Sequence, residues 1–577
     1  MQQGKSDRFS YLDLWLLLVW FTIGMVLRFT NLGDKPASSI EIATLGFGLG
    51  NGFSQIPLDK LISGETLLSP LKLDPTINSV DVLHRLFAES THPPLYFWLT
   101  HWWIRLFTHS GELVSLEVGR SLSAIFGGLS IPAIFGLSWL TFNDIGASKH
   151  RLTAHLTAIL MAFSPYGIYL AQEARHYTLS ILWIIASVSC LILAIKCLYR
   201  HCKIPWWIVP VWVVINSLGI ATHYFFSLAL AAEGFVIVGF WFWQHTHKKH
   251  KLDLNYWLPM IFAGLGTLAG CLIWIPVASN ISSNELTDWI ATGYDIDEIW
   301  QPIPRMLVWL ITMVALLPIE GVPIAIAVCS GIIILLGLIW IFPLLIQGYK
   351  LLLNGSKGFP LTLLTGYGLG AVILYLALIY GYGKDVSLAA RYHFVYFPVV
   401  ILILAAIGDQ LWQVINKTKL NDYKHNWFYA TGKKIVAVIL VISLLGSLTV
   451  VNNFGYKKSR HSNRLATHIQ TSITVPAIVG TTYETLSELR ELIALALALE
   501  TSPLSNKVRK PQFFLVQRNN DHDFNLKAIL LSQIRPLDLW GVNLRANEED
   551  LNQLNCIKDN EARLSDAGYK NRVYHCH

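Results

Sequence analysis

Between Tyr11 and Val451, apolar runs of close to 20 residues recur again and again in this chain of 577 residues. A helix of that length matches the hydrocarbon core of a bilayer, about 30 Å thick. Within lipid every backbone N–H and C=O must be bonded internally, which leaves little besides helices for such runs to form. Composition agrees. Only 14% of residues are charged, against about 25% in soluble domains, and mean hydropathy is +0.46. A polytopic membrane protein fits; disorder, collagen, coiled coil and a disulfide scaffold do not.

Hydropathy predicts eleven spans, at 11–28, 120–141, 152–170, 177–196, 206–222, 225–243, 258–279, 322–345, 360–380, 393–413 and 435–452. The first lacks a small-residue cleavage site and reads as a retained helix, not a signal peptide. Two more apolar stretches, 93–108 and 303–318, carry Trp, His and Arg side chains that suit helices lying in the interface. With the N-terminus in the cytoplasm, fifteen Lys and Arg residues fall in the five cytoplasmic loops, from Lys149 and Arg151 through Lys248, Lys249 and Lys251 to Lys433 and Lys434. The short loops of the other face hold four: Arg175, Arg305, Lys384 and Arg391. That asymmetry sets the expected orientation. The net charge of +7 reads as basic loops rather than a nucleic-acid surface, and no nucleic acid is expected as partner.

The expected organisation is a transmembrane domain over 1–452, with an outer loop at 29–119, and an extracytoplasmic α/β domain over 453–577. In the latter, VPAIVGTTY, PQFFLVQR and LDLWGVNL read as strands and SELRELIALALAL as an amphipathic helix. Five of the seven cysteines (Cys190, Cys197, Cys202, Cys271, Cys329) lie in or beside apolar runs and are expected as buried small hydrophobes. Cys556 and Cys576 lie in a polar region, where one bridge is conceivable.

Ionisable groups among apolar surroundings need partners or a wet cavity. With the charge-derived orientation, Glu41, His92, the run Gln172–Arg175, His223-Tyr224, Lys384-Asp385 and Arg391-Tyr392 all fall on the outer face. Each also has a plain structural reading. Glu173 and Arg175 make a helix-terminal pair facing water, Arg391-Tyr392 an interfacial anchor, His92 a turn residue before two prolines, and His223-Tyr224 an interfacial pair. Taken together they suggest a polar cavity at the membrane boundary. Such a cavity suits attack by a hydroxyl on a phosphate-linked group. A carboxylate takes the proton, and cationic side chains hold the phosphate that departs.

Several stretches then occur in a telling order: SSIEIA at 38–43, THPPLYFWLTHWWIRLF, EVGRSLSAIFGGLSIPAIFGLSWLTF, AFSPYGIYLAQEARHYTL, ATHYFFSL and LAARYHFVYFPVVILILAA. Over roughly residues 10–410 the chain resembles the GT-C fold glycosyltransferases that use polyprenol-phosphate sugars, such as protein O-mannosyltransferases and lipid A aminoarabinose transferases. The resemblance implies an all-α polytopic fold of about eleven transmembrane helices with interfacial helices. It also implies transfer of one sugar from a polyprenyl phosphate carrier to an envelope acceptor, with inversion. The family's first-loop motif is commonly Asp-Glu, whose Asp is the base; here Ile40 stands at the Asp position and Glu41 remains. Either Glu41 serves as base or the role falls to Glu173 or Asp385. The same resemblance gives His92, Arg175 and Arg391 to the carrier phosphate, places Arg120 at the start of the second span, and lines the cavity with Gln172 and Glu173.

The expected function is therefore a bacterial plasma (inner) membrane glycosyltransferase. Glu41, Glu173 and Asp385 are its candidate catalytic residues. His92, Gln172, Arg175, Tyr177, His223, Tyr224, Lys384, Arg391 and Tyr392 are the candidates for substrate binding. Its partners would be the lipid-linked donor, membrane lipid and an envelope acceptor. Some members of the family hold a divalent metal, and Glu41, His92 and Glu173 could ligate one, but no ligand spacing selects a metal and none is expected. A lipid or solute transporter is the rival from another class, although the charges gather at one face and no repeat is visible. A non-catalytic membrane scaffold is the third, kept open by Ile40.

Overall fold

The computed structural model describes residues 9–143, 147–247, 254–278, 298–413, 426–505, 509–517, 522–559, 564 and 567–577. Lys248, Lys249 and Lys251 of the predicted basic loops lie outside these residues. The described chain falls into two compact units: a helical unit, up to Leu32 and from Arg120 to Lys457, and a sheet unit of Gly33–Gly119 with Lys458–His577.

In the helical unit, helices occupy each predicted span. They are α1 (Tyr11–Phe29), α6 (Leu116–Phe142, its first turn in the sheet unit), α7 (Ala147–Phe163) with α8 (Pro165–Ala171), α9 (Tyr177–Tyr199), α10 (Ile208–Thr222), α11 (Phe226–His247), α12 (Leu254–Leu272), α15 (Ile324–Leu353), α16 (Gly358–Leu376), α17 (Phe397–Gln413) and α18 (Asn426–Val451). Among the described residues seven helices are long and apolar enough to cross a membrane, or eight if the bent pair α7–α8 counts as one span. At 15 and 17 residues, α10 and α17 are shorter, about 22–26 Å at 1.5 Å per residue. The described residues of the unit also form two short helices, α13 (Ile275–Ala278) and α14 (Pro302–Thr312), the latter from the stretch first placed in the interface.

The break between α7 and α8, a bend of 54°, has a local cause. Pro165 cannot donate to the preceding turn, and Ser164 caps the new helix by accepting from the Gly167 N–H at 2.9 Å. Breaking the helix frees carbonyls at the end of α7. The fully buried Arg28 supplies their donors: Nη1 reaches Ala162 O at 3.2 Å and Nη2 reaches Met161 O at 2.9 Å. In return, the Gln172 amide just past α8 serves the end of α1, donating to Arg28 O at 3.2 Å and Thr30 O at 2.8 Å. The chain leaving α8 is thus fixed against α1 at both ends.

In the sheet unit, the loop after α1 folds into α2 (Ser39–Gly48), α3 (Gly64–Leu67), α4 (Ser79–Glu89) and α5 (Leu95–Phe107), and the C-terminal part into α19 (Ser462–Ser472), α20 (Leu486–Thr501), α21 (His522–Ser532) and α22 (Glu548–Gln553). Six strands, β1 (Leu61–Ile62), β2 (Ala477–Tyr483), β3 (Gln512–Gln517), β4 (Leu537–Val542), β5 (Cys556–Asp559) and β6 (Asn571–Cys576), make one sheet in the order β1-β3-β2-β4-β6-β5. The three predicted strands are its centre, β2 running parallel to both β3 and β4. β2 is rich in β-branched residues, and α20 begins at a capping box of Thr485 and Glu488. Sequence reading missed β5 and β6, and also β1, a two-residue strand from the first loop that pairs antiparallel with β3. Cys556 and Cys576 stand opposite one another on β5 and β6 and form a disulfide. Of the other cysteines, Cys190 is buried as expected, but Cys202 and Cys329 are exposed. Cys202 falls in the turn after α9, and Cys329 in the first half of α15.

Candidate functional site

Charged and aromatic groups gather in the helical unit where three chain segments meet: the turn between α8 and α9, the link between α10 and α11, and a 3-10 segment, Ala390–Val395, ahead of α17. The first is pinned by Ser123 on α6, whose hydroxyl donates to Arg175 O at 2.9 Å and accepts from the Arg175 N–H at 3.2 Å. Glu173, Arg175, His176 and Tyr177 follow one another there, all buried. The Arg175 guanidinium stands 5.9 Å from the Tyr177 ring centre, and that of Arg391 is 5.2 Å from the Tyr392 ring centre.

Both arginines act electrostatically on Tyr177 and on His223, while Glu173 acts on Tyr177, Tyr169 and Arg391. The five predicted residues Glu173, Arg175, Tyr177, His223 and Arg391 therefore share one cluster. Two guanidinium groups and the Glu173 carboxylate all act on Tyr177 in it. The rings enclose them closely: His176 lies 4.3 Å from His223, and Phe394 lies 5.4 Å from His223 and 5.8 Å from Tyr177. Tyr392 packs on Phe225 at 5.1 Å.

His223 has a defined role in this arrangement. Burial, reinforced by Arg175 and Arg391, pushes its imidazole down to about 3, so it is neutral across the physiological range. Its Nδ1 accepts from the Phe225 N–H at 2.9 Å, which leaves the proton on Nε2 as a donor. Guanidinium forks and neutral N–H donors are groups that hydrogen-bond oxyanions, phosphate above all. Tyr224 is half-buried beside it, and burial pushes its phenol up to about 12, keeping it a hydroxyl.

Other predicted residues lie elsewhere. Gln172 caps α1, as described. Asp385 is fully buried with both oxygens engaged: Oδ1 accepts from the Ser387 N–H at 2.9 Å and its hydroxyl at 2.5 Å, and Oδ2 meets Arg305 Nη1 at 2.8 Å. Half-buried Lys384 precedes it, and neither is among the main charges acting on Tyr177, His223 or Arg391.

Two predicted residues belong to the sheet unit. Glu41, fully buried in the first turn of α2, completes a capping box: its Oε2 accepts from the Ser38 N–H and hydroxyl, both at 3.1 Å, and pairs with Lys458 Nζ. The partner that its apolar neighbours demanded is thus a lysine 417 positions away. His92 is half-buried, with Nδ1 2.9 Å from the Ser90 hydroxyl. Among the described residues no three His, Cys, Asp or Glu side chains gather to hold a metal ion.

No protein-family model matches the chain, and no curated protein matches its sequence. Solved structures do match in shape. ArnT from Cupriavidus metallidurans in the apo state superposes with a TM-score of 0.51 at 11% identity, covering 98% of this chain and 98% of that one. The chain has the GT-C fold. ArnT from the same organism bound to undecaprenyl phosphate gives 0.49 at 11% identity, over 98% of this chain and 97% of that one. The archaeal oligosaccharyltransferase AglB from Archaeoglobus fulgidus, in complex with an inhibitory peptide and a dolichol-phosphate, gives 0.49 at 11%, over 92% of this chain and 69% of that one. At such identity the likeness speaks for the GT-C fold alone, and the chemistry has to come from the chain's own side chains.

Proposed function

We propose that this multi-pass membrane protein is a glycosyltransferase that moves a sugar from a polyprenyl phosphate carrier to an acceptor hydroxyl on the extracytoplasmic face. The observation that carries the proposal is the gathering of buried Arg175 and half-buried Arg391 with the carboxylate of Glu173 and the Nε2–H of His223. In the reaction, the acceptor oxygen attacks the anomeric carbon and the bond from that carbon to the phosphate oxygen breaks. The acceptor proton passes to a carboxylate, and the polyprenyl phosphate leaves with an added negative charge. Arg175, Arg391 and His223 stabilise that charge as it develops. Attack opposite the leaving group inverts the anomeric centre.

Among the three carboxylates proposed as base, Glu173 is favoured because it acts on Arg391 and Tyr177. Asp385 is committed to Ser387 and Arg305, and one oxygen of Glu41 to Ser38 and Lys458. The Cys556–Cys576 disulfide supports an oxidising, extracytoplasmic setting for the C-terminal part, in keeping with the basic loops on the opposite side and a plasma membrane location. The test is to supply membranes containing the protein with a panel of radiolabelled polyprenyl phosphate sugars. Consumption of one of them, lost in Arg391→Ala, is expected; indifference to the whole panel would refute the proposal.

A further inference from the structure

The segment that carries Arg391 is gripped from outside by tyrosines. Tyr166 on α8 donates its hydroxyl proton to the Ala390 carbonyl at 3.0 Å, Tyr375 on α16 to the Tyr392 carbonyl, and Tyr367, also on α16, to the Val395 carbonyl at 3.1 Å. All three side chains are buried. A 3-10 segment of six residues satisfies few of its own carbonyls, and a buried carbonyl without a donor costs free energy. Phenylalanine would fill the same space, so the hydroxyls matter chiefly for the bonds they make.

Their placement bears on the guanidinium. Tyr166 and Tyr375 hold the carbonyls on either side of residue 391, and the Arg391 side chain lies against the ring of the residue that Tyr375 fixes. We infer that Tyr166 and Tyr375 are positioning residues that aim Arg391 at the phosphate of the lipid substrate; this rests on the function proposed above. They act through the backbone of the 390–395 segment and touch no reacting atom. Misplacing a charged donor by about 1 Å can cost a hundredfold in rate, so a modest loosening of this segment is enough to matter.

The test uses the full chain in lipid nanodiscs and two probes, undecaprenyl phosphate and undecaprenol, which share a chain and differ in the phosphate. Removing both hydroxyls (Tyr166→Phe with Tyr375→Phe) is expected to weaken binding of the phosphate lipid by about tenfold and leave that of the alcohol unchanged. In an Arg391→Ala background the same two changes should add nothing, because coupled residues are not additive. A purely structural role would weaken both probes alike, which would overturn the inference. So would wild-type binding of the phosphate lipid by the double variant while Arg391→Ala weakens it. If the double variant does not fold, Tyr375→Phe alone is read by the same two probes. If Arg391→Ala itself binds the phosphate lipid like the unsubstituted protein, the proposed function fails first and this inference falls with it.

Discussion

The charged groups around Glu41 in the sheet unit and those around Arg391 in the helical unit are arranged differently. In the sheet unit the fully buried Glu41 is matched by Lys458 and by the Ser38 cap, His575 sits between Asp538 and Asp559, and the C-terminus is closed by a disulfide. In the helical unit Arg175, Arg391 and Glu173 gather among aromatic rings, while Asp385 is paired with Arg305 as Glu41 is with Lys458. A carboxylate held by a cation and a helix cap argues for stability, and arginines grouped with a neutral histidine suit the binding proposed above. The contrast predicts a dissociation: substitutions in the sheet unit should move the melting temperature, and those in the Arg391 cluster should move ligand binding and turnover.

The sharpest way to break it is Lys458→Met. Removing one partner of a buried pair typically costs about 3–5 kcal/mol, so a large fall in melting temperature of the purified protein is expected; an unchanged melting curve would show that Glu41 does not depend on this lysine. Next, Cys556→Ser with Cys576→Ser should cost about 3 kcal/mol, as for closure of a loop of this size, read by chemical denaturation of the sheet unit's signal with and without reductant. In the helical unit, Arg391→Ala and Glu173→Gln should each lower sugar transfer by at least about a hundredfold with melting temperature held within a few degrees. A Glu41→Gln variant that lost transfer without losing stability would move the base back to Glu41.

The smallest expected effect is a pH dependence. The hydrogen bond to Asp538, helped by Asp559, raises the pKa of His575 above its ordinary value. A raised histidine contributes stability that is complete below the unfolded value, about 6.5, and fades as pH climbs through the raised native value. Melting curves of the sheet unit should therefore decline gently from neutral to mildly alkaline pH, and His575→Gln should flatten that decline.

Much of the fold was readable because the signals are local. Runs such as YTLSILWIIASVSCLILAIKCLY are apolar throughout, and AIVGTTY, QFFLVQ and LDLWGV carry the β-branched and aromatic bias of buried strands. What escaped reading is long-range. Nothing in Leu61-Ile62 announces a strand, since two residues have no period, and its partner Phe513-Phe514 lies far along the chain. The site divides the same way. Glu173, Arg175, His223 and Arg391 stand out as polar groups at span ends, so their gathering could be anticipated. Lys458 could not be matched to Glu41 without coordinates, although a lysine immediately after the last span was a visible signal. Tyr166, Tyr367 and Tyr375 were hidden for another reason: inside apolar helices a tyrosine reads as one more large hydrophobe, and only its acceptor reveals the hydroxyl's use.

One imino acid has an outsized reach in this molecule. Were Pro165 replaced by alanine and the helix to run on unbent, seven further residues would project about 10 Å along the old axis. Turning that arm through 54° displaces its tip by about 9 Å, carrying Gln172 away from the carbonyls it serves and Glu173 away from Arg391. A change that mends a backbone hydrogen bond would thereby dismantle the place where sugar transfer is proposed to happen, so greater helical order and catalytic competence pull in opposite directions at this position.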